Sequence, residues 1–148
     1  MRAVCQRVKE ATLFVNNEKI SEISKGFLVY IGFCEEDTKE SIQKALKKVC
    51  GLRVFDDSDG KLNLALSDVG GELLLVSNFT LYGDCSRGFR PSFVKSAKFD
   101  YANELYKFSL DFISEAGIIV KPCVFGGDMQ IESVADGPIN IIIDSEDL

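Results

Sequence analysis

The order of apolar segments predicts an α/β fold: mixed β-sheet, in one sheet or two, covered on one side by two helices. Three observations carry this. The chain opens with strand-like segments, two runs (FLVYIGF and ELLLVSNF) are apolar almost throughout, and two stretches repeat apolar residues at helical spacing. A chain of 148 residues is one domain by length, 1–148, with no repeat, linker or compositional shift to divide it. At 46% hydrophobic and 27% charged residues, its composition supports an ordinary core.

Residues 2–9 and 11–15 read as strands, and Asn16-Asn17 turns the chain into a third, 18–23. Ser24-Lys25-Gly26 leads into FLVYIGF, a buried strand. The first helix follows, with Asp37 as its cap, Glu40 at the reciprocal capping-box position and Ile42, Ala45, Leu46 and Val49 as one stripe. Gly51 stops it. DDSDG (56–60) lacks the alternating carboxylates and terminal glutamate of a calcium loop and reads as a plain turn. ELLLVSNF (72–79) is the second buried strand. Asp100 caps a second helix bearing Tyr101, Leu105, Phe108 and Phe112 and ending at Gly117. Three short strands, 118–124, 129–134 and 139–143, complete the chain.

Composition removes several functions. There is no histidine, so Ser-His-Asp, Cys-His and histidine-ligated metal chemistry are excluded. Cys5, Cys34, Cys50, Cys85 and Cys123 are scattered without a C-x-x-C pair, and read as small buried hydrophobes in a reducing compartment. No metal and no cofactor is expected. The amino-terminal segment lacks a signal-type apolar run, and no stretch approaches the ~20 apolar residues of a membrane span, so a cytoplasmic location is expected. A net charge of −6 opposes non-specific nucleic-acid binding. Locally, Cys85 to Lys98 carries Arg87, Arg90, Lys95 and Lys98 and no acid. Alone it reads as a solvated loop.

Two segments break the pattern. In SNFTLYGD (77–84), Ser77, Asn78 and Thr80 gather two hydroxyls and an amide at the end of an apolar strand, either bonded structurally or aimed at a ligand. In ADGPINI (135–141), Asp136-Gly137 is an ordinary hairpin pair, but the following Pro138 removes a donor the next strand would use. An X-Pro bond there is a natural place for a cis peptide.

The chain resembles the D-aminoacyl-tRNA deacylase family from Met1 to about Ser145. The resemblance rests on MRAVCQRV at the start, KGFLVYIG (25–32), LRVFDDSDGKLNLAL (52–66), GGELLLVSNFTLYGD (70–84), RGFRPSF (87–93), FGGDMQ (125–130) and DGPINIIIDS (136–145). It implies a two-sheet, barrel-like form of the predicted fold, and a homodimer with the active site at the subunit interface. The implied activity is hydrolysis of the ester joining a D-amino acid to the 3′-terminal adenosine of tRNA, with mischarged glycyl-tRNA as a second substrate. Ser77, Phe125 and Met129 would line the pocket, and a cis Gly137-Pro138 pair from the partner would reject L-amino acids.

Ester hydrolysis needs donors for an oxyanion, and the Phe79 N–H with the side chains of Asn78 and Thr80 are the candidates. Either Thr80 is the nucleophile, or the terminal 2′-OH of the substrate assists a water. The second is preferred because the motif holds no base. Arg87, Arg90 and Lys95 are the expected tRNA contacts, few enough to suit an acidic protein. Asn78 stands where the family usually has glutamine, one methylene longer, and Gly83 and Gly127 replace the usual alanines. A tRNA-end binding module without turnover, an esterase for small D-amino acid esters and a purely structural dimer are the competing readings.

Overall fold

The computed structural model describes residues 1–148. Strand β1 (Arg2–Val15) is the axis of the sheet, and β2 (Glu18–Ile23) and β3 (Gly26–Gly32) pair antiparallel along it in succession. Residues 2–15 were expected as two strands and form one. A register shift between Leu13 and Phe14 is absorbed without ending it. Helix α1 (Lys39–Cys50) then leads through a two-stranded ribbon, β4 (Phe55–Asp56) and β5 (Leu62–Leu64), to β6 (Glu72–Ser77), which lies parallel to β3. Helix α2 (Phe99–Glu115) crosses back to β7 (Val120–Pro122), parallel to β6, and β8 (Gln130–Asp144) runs along β1. The main sheet is thus mixed, and it curls nearly shut into a barrel-like form. Ser21 Oγ on β2 donates to the Pro122 carbonyl of β7, 2.6 Å away, across what would otherwise be two distant edges.

The two runs apolar throughout become the central parallel pair, as burial on both faces requires. They approach closely at their start: a Cβ at Gly26 would lie 1.8 Å from the Glu72 carbonyl. Helix α1 buries Ile42, Ala45, Leu46 and Val49 against this sheet, the stripe read from sequence. Its cap is different. Thr38, not Asp37, accepts from Ser41 N–H, and Ser41, not Glu40, closes the reciprocal box. The Asp37 carboxylate, 3% exposed, instead takes the Met1 ammonium, the Ser145 hydroxyl and the Cys34 N–H. A buried ammonium is the stronger claimant, so the cap passes to the next hydroxyl. Asp37→Ala is expected to cost about 3–5 kcal/mol by stranding that charge. Urea unfolding of the variant checks this, and a loss under 1 kcal/mol refutes it.

Helix α2 also starts differently. Lys98 is its N-cap with no side-chain bond, its N–H held by Glu35 Oε1 at 2.8 Å, and Asp100 lies in the first turn. Leu105, Tyr106, Ser109 and Ile113 form its buried line. Of the expected face only Leu105 is fully buried, while Tyr101, Phe108 and Phe112 are half-buried at its flank. Gly117 takes the left-handed conformation at the helix end, φ +81°, as a stop requires.

The largest difference is β8. Two short strands joined by an Asp136-Gly137 turn were expected, yet the strand runs unbroken for 15 residues. Asp136 to Ile139 bulge out opposite Arg7 alone, between the pairs Gln6↔Asn140 and Val8↔Ala135. The continuous partner β1 carries the strand through residues whose local preference is to turn. All five cysteines are free. Cys5, Cys34 and Cys123 are buried and Cys50 is half-buried, whereas Cys85 is exposed, against the expectation of burial. Burial pushes the Cys5 thiol up to about 12 and Cys50 up to about 11. No helix is long and apolar enough to cross a membrane.

Candidate active site

Parallel strands commonly place ligands beyond their carboxyl ends, where the chain leaves the sheet. Here β3 and β6 end side by side, and a cavity of about 660 Å³ opens there. Its walls are Tyr30–Phe33, Val76–Phe79, Phe93 with Ser96 and Ala97, the start of α2 at Phe99 and Ala102, and Phe125–Gly127 with Met129 and Ile131. Of the residues predicted from sequence, Ser77, Asn78, Phe79, Phe125 and Met129 therefore converge on one site. No charged side chain lines it.

The polar end of the cavity is built by a 3₁₀ turn, Phe79–Tyr82. Asn78 caps this turn, its Oδ1 accepting the Thr80 N–H at 3.1 Å and the Thr80 hydroxyl. That leaves the Asn78 Nδ2 as its free donor. The Phe79 N–H, first in the turn, has no intrahelical acceptor. Thr80 is exposed and lies outside this chain's cavity wall, with its hydroxyl directed at the Asn78 amide oxygen. The turn is gripped from both sides: Ser96 Oγ donates to the Phe79 carbonyl at 3.0 Å, and Arg2 Nη1 to the Leu81 carbonyl at 2.9 Å. Arg2 also lies 4.9 Å from the centre of the buried Tyr82 ring.

Beneath Ser77, the Cys123 sulfur accepts the Ser77 N–H at 3.3 Å, and the Tyr106 hydroxyl both accepts the Cys123 N–H and donates to the Leu75 carbonyl. Burial pushes the Tyr106 phenol far above its ordinary range, so it stays protonated as this relay needs. Rings enclose the rest: Phe79 packs edge-on to Phe93 at 5.0 Å, and Phe99 to Phe125 at 5.1 Å. Gly126 admits this closeness, since a Cβ there would stand 2.6 Å from the Phe99 ring. Sequence reasoning missed Tyr106, Ser96, Phe99 and Arg2. None carries a local signal, except that Arg2 falls within MRAVCQRV.

Gly137 and Pro138 are exposed and do not line this chain's own cavity. The bond between them is cis. Arg7, nearly buried, fixes the bulge: its Nε lies 3.2 Å from both the Asp136 carbonyl and its carboxylate, and its Nη1 donates to the Val54 carbonyl at 2.6 Å. Arg87, Arg90 and Lys95 are exposed and form no ion pair, on and beside a loop closed by two backbone bonds between Asp84 and Ser92. No cluster of three histidine, cysteine or acidic side chains is placed to hold a metal.

A nearly closed mixed barrel with an uncharged, donor-bearing cavity at the ends of its parallel strands defines the class, the deacylase-type fold. Residues 4–144 match the family model for D-Tyr-tRNA(Tyr) deacylase. The chain is 45% identical over 146 residues to a D-aminoacyl-tRNA deacylase of Desulfatibacillum aliphaticivorans, covering 99% of this chain and 100% of that one. It is 47% identical over 146 residues to the enzyme of that name from Clostridium novyi, covering 99% and 98%. Among solved structures, a c-Myc DNA unwinding element binding protein superposes with a TM-score of 0.92 at 33% identity, over 97% of this chain and 98% of that one. The chain belongs to the D-Tyr-tRNA(Tyr) deacylase family.

Proposed function

We propose that the protein hydrolyses the ester bond of D-aminoacyl-tRNA, releasing the D-amino acid and tRNA. Family membership supports the reaction, and one observation carries the mechanism: the cavity holds donors but no side chain that can act as a base. The Phe79 N–H and the Asn78 amide stabilise the oxyanion that forms when water adds to the ester carbonyl. The terminal 2′-OH of the substrate assists that water. The bond to the 3′ oxygen then breaks, and a proton passes to the leaving oxygen. Thr80 keeps the Asn78 amide in place rather than attacking. Arg87, Arg90 and Lys95 contact the tRNA phosphates, a small enough set for a chain of net charge −6.

Chirality is read by a second copy of the chain. The Gly137-Pro138 bulge cannot serve its own cavity, but it projects in the open from a long edge strand and is held rigid by Arg7. In a homodimer it enters the partner's cavity, where its backbone excludes the side chain of an L-amino acid. Glycine has none, so glycyl-tRNA is also a substrate. Gly137 sits at φ +122°, and a Cβ there would lie 3.0 Å from Ile139. Gly137→Ala is therefore expected to lower kcat/KM on D-aminoacyl-tRNA by roughly 10-fold or more. Unchanged kinetics would remove the bulge from the site.

The deciding experiment offers D-Tyr-tRNA, L-Tyr-tRNA and D-tyrosine methyl ester to the purified protein, with light scattering at assay concentration. Release from D-Tyr-tRNA alone, by a dimer and with no inhibition by chelators, is expected. Equal rates on both enantiomers sink the chiral reading, turnover of the methyl ester alone makes the protein a simple esterase, and an active monomer sinks the shared site.

A further inference from the structure

The loop from Cys85 to Pro91 carries Phe89, whose ring is fully exposed at 106% relative accessibility and packs on nothing in this chain. The acid-free run that contains it, Cys85 to Lys98, also carries Arg87, Arg90, Lys95 and Lys98, all exposed and free of ion pairs, with Arg87 and Arg90 flanking Phe89 in the chain. The loop is not remote from the cavity. Its neck is closed by Asp84 N–H to the Ser92 carbonyl at 2.8 Å and the reverse bond at 2.9 Å. The next residue, Phe93, is a cavity wall packed on Phe79. Four residues of chain span at most ~14 Å, so Phe89 stays near the rim.

An exposed ring among unpaired cations matches the chemistry of single-stranded nucleic acid, with a base face for the ring and phosphates for the guanidinium groups. A strand whose last nucleoside occupies the cavity has to leave it across the rim. We infer that Phe89 is a stacking platform for a base of the unpaired 3′ tail of the tRNA, upstream of the terminal adenosine, with Arg87 and Arg90 on the adjoining phosphates. This rests on the cavity being the site of the aminoacyl-adenosine end. It adds a second contact, one that holds the tail without reading its sequence, because every base has a π-face.

The chain contains no tryptophan, so Phe89→Trp introduces a single emitter at the platform. Titration with a short single-stranded oligoribonucleotide ending in adenosine is expected to quench that emission, and a blunt RNA duplex is not. In kinetics, Phe89→Ala is expected to raise KM for D-aminoacyl-tRNA about 5- to 100-fold. No comparable rise is expected with 3′-(D-aminoacyl)adenosine, which lacks the tail, and Phe89→Tyr restores the tRNA value. Absence of quenching, or equal quenching by the duplex, overturns the inference. So does an equal KM rise on both substrates, or a change in oligomeric state that makes Phe89 a contact between copies. If the unaltered protein turns over neither substrate, the proposed function fails, and the emission titration still decides whether Phe89 stacks.

Discussion

Replacing the 2′-hydroxyl of the substrate's terminal adenosine by hydrogen is expected to slow hydrolysis of D-aminoacyl-tRNA by about 10²–10⁴-fold, the usual contribution of a positioned proton-transfer group. The expectation follows from what surrounds the ester. The lining residues include two serines, an asparagine and a tyrosine, but no carboxylate, lysine or histidine. The one phenol, Tyr30, is pushed upward by burial, so it is not a base near neutral pH. With no protein group to take the proton from water, that role falls to the substrate's own hydroxyl next to the ester. The effect falls on kcat, because a single hydroxyl adds little to ground-state binding. Single-turnover rates with 2′-deoxyadenosine-ended tRNA measure it, and a rate within a few-fold of the normal substrate would show that a protein group does the work.

Asn78→Ala is expected to lower kcat by about 10²–10³-fold, as for the loss of one oxyanion donor. The substitution also removes the cap of the turn that presents the Phe79 N–H, so both donors are affected. Thr80→Ala is expected to be milder, on the order of 10-fold, because one neutral hydrogen bond is lost and the Thr80 N–H still holds the Asn78 oxygen. Thr80→Ser keeps the hydroxyl and restores the rate. These two positions separate the accounts of the chemistry. Complete loss in Thr80→Ala, or an acyl group trapped on Thr80, would make the threonine a nucleophile and overturn its role as a support for Asn78.

Much of the fold was legible because it is local. The runs FLVYIGF and ELLLVSNF read as buried strands, and they lie together at the centre of the sheet. The α1 stripe, the Gly51 and Gly117 stops and the DDSDG turn also follow from near neighbours; Asp57 closes that turn by accepting the Asp59 and Lys61 N–H groups. The helix caps misled because Asp37 is a good cap by type, and nothing nearby announces a buried ammonium 36 residues away. The Asp136-Gly137 pair misled for the same reason. Its local preference is a turn, and Arg7, 129 residues earlier on β1, holds it as a bulge within one continuous strand.

The site shows the same division. By itself the sequence determined that histidine chemistry is absent, that SNFTL ends a buried strand with polar groups, and that the motif set is that of one family. It also placed Ser77, Asn78, Phe79, Phe125 and Met129 among the site residues. Only the tertiary structure decided that these five face one uncharged cavity, that Thr80 turns its hydroxyl onto Asn78, and that Gly137-Pro138 stands apart from its own chain's cavity. The reason is physical. Periodicity and caps act over a few residues, where the sequence is its own environment. The cavity wall is assembled from segments up to about a hundred residues apart, and its charge, its donors and its open side exist only once β3, β6 and the start of α2 are packed together.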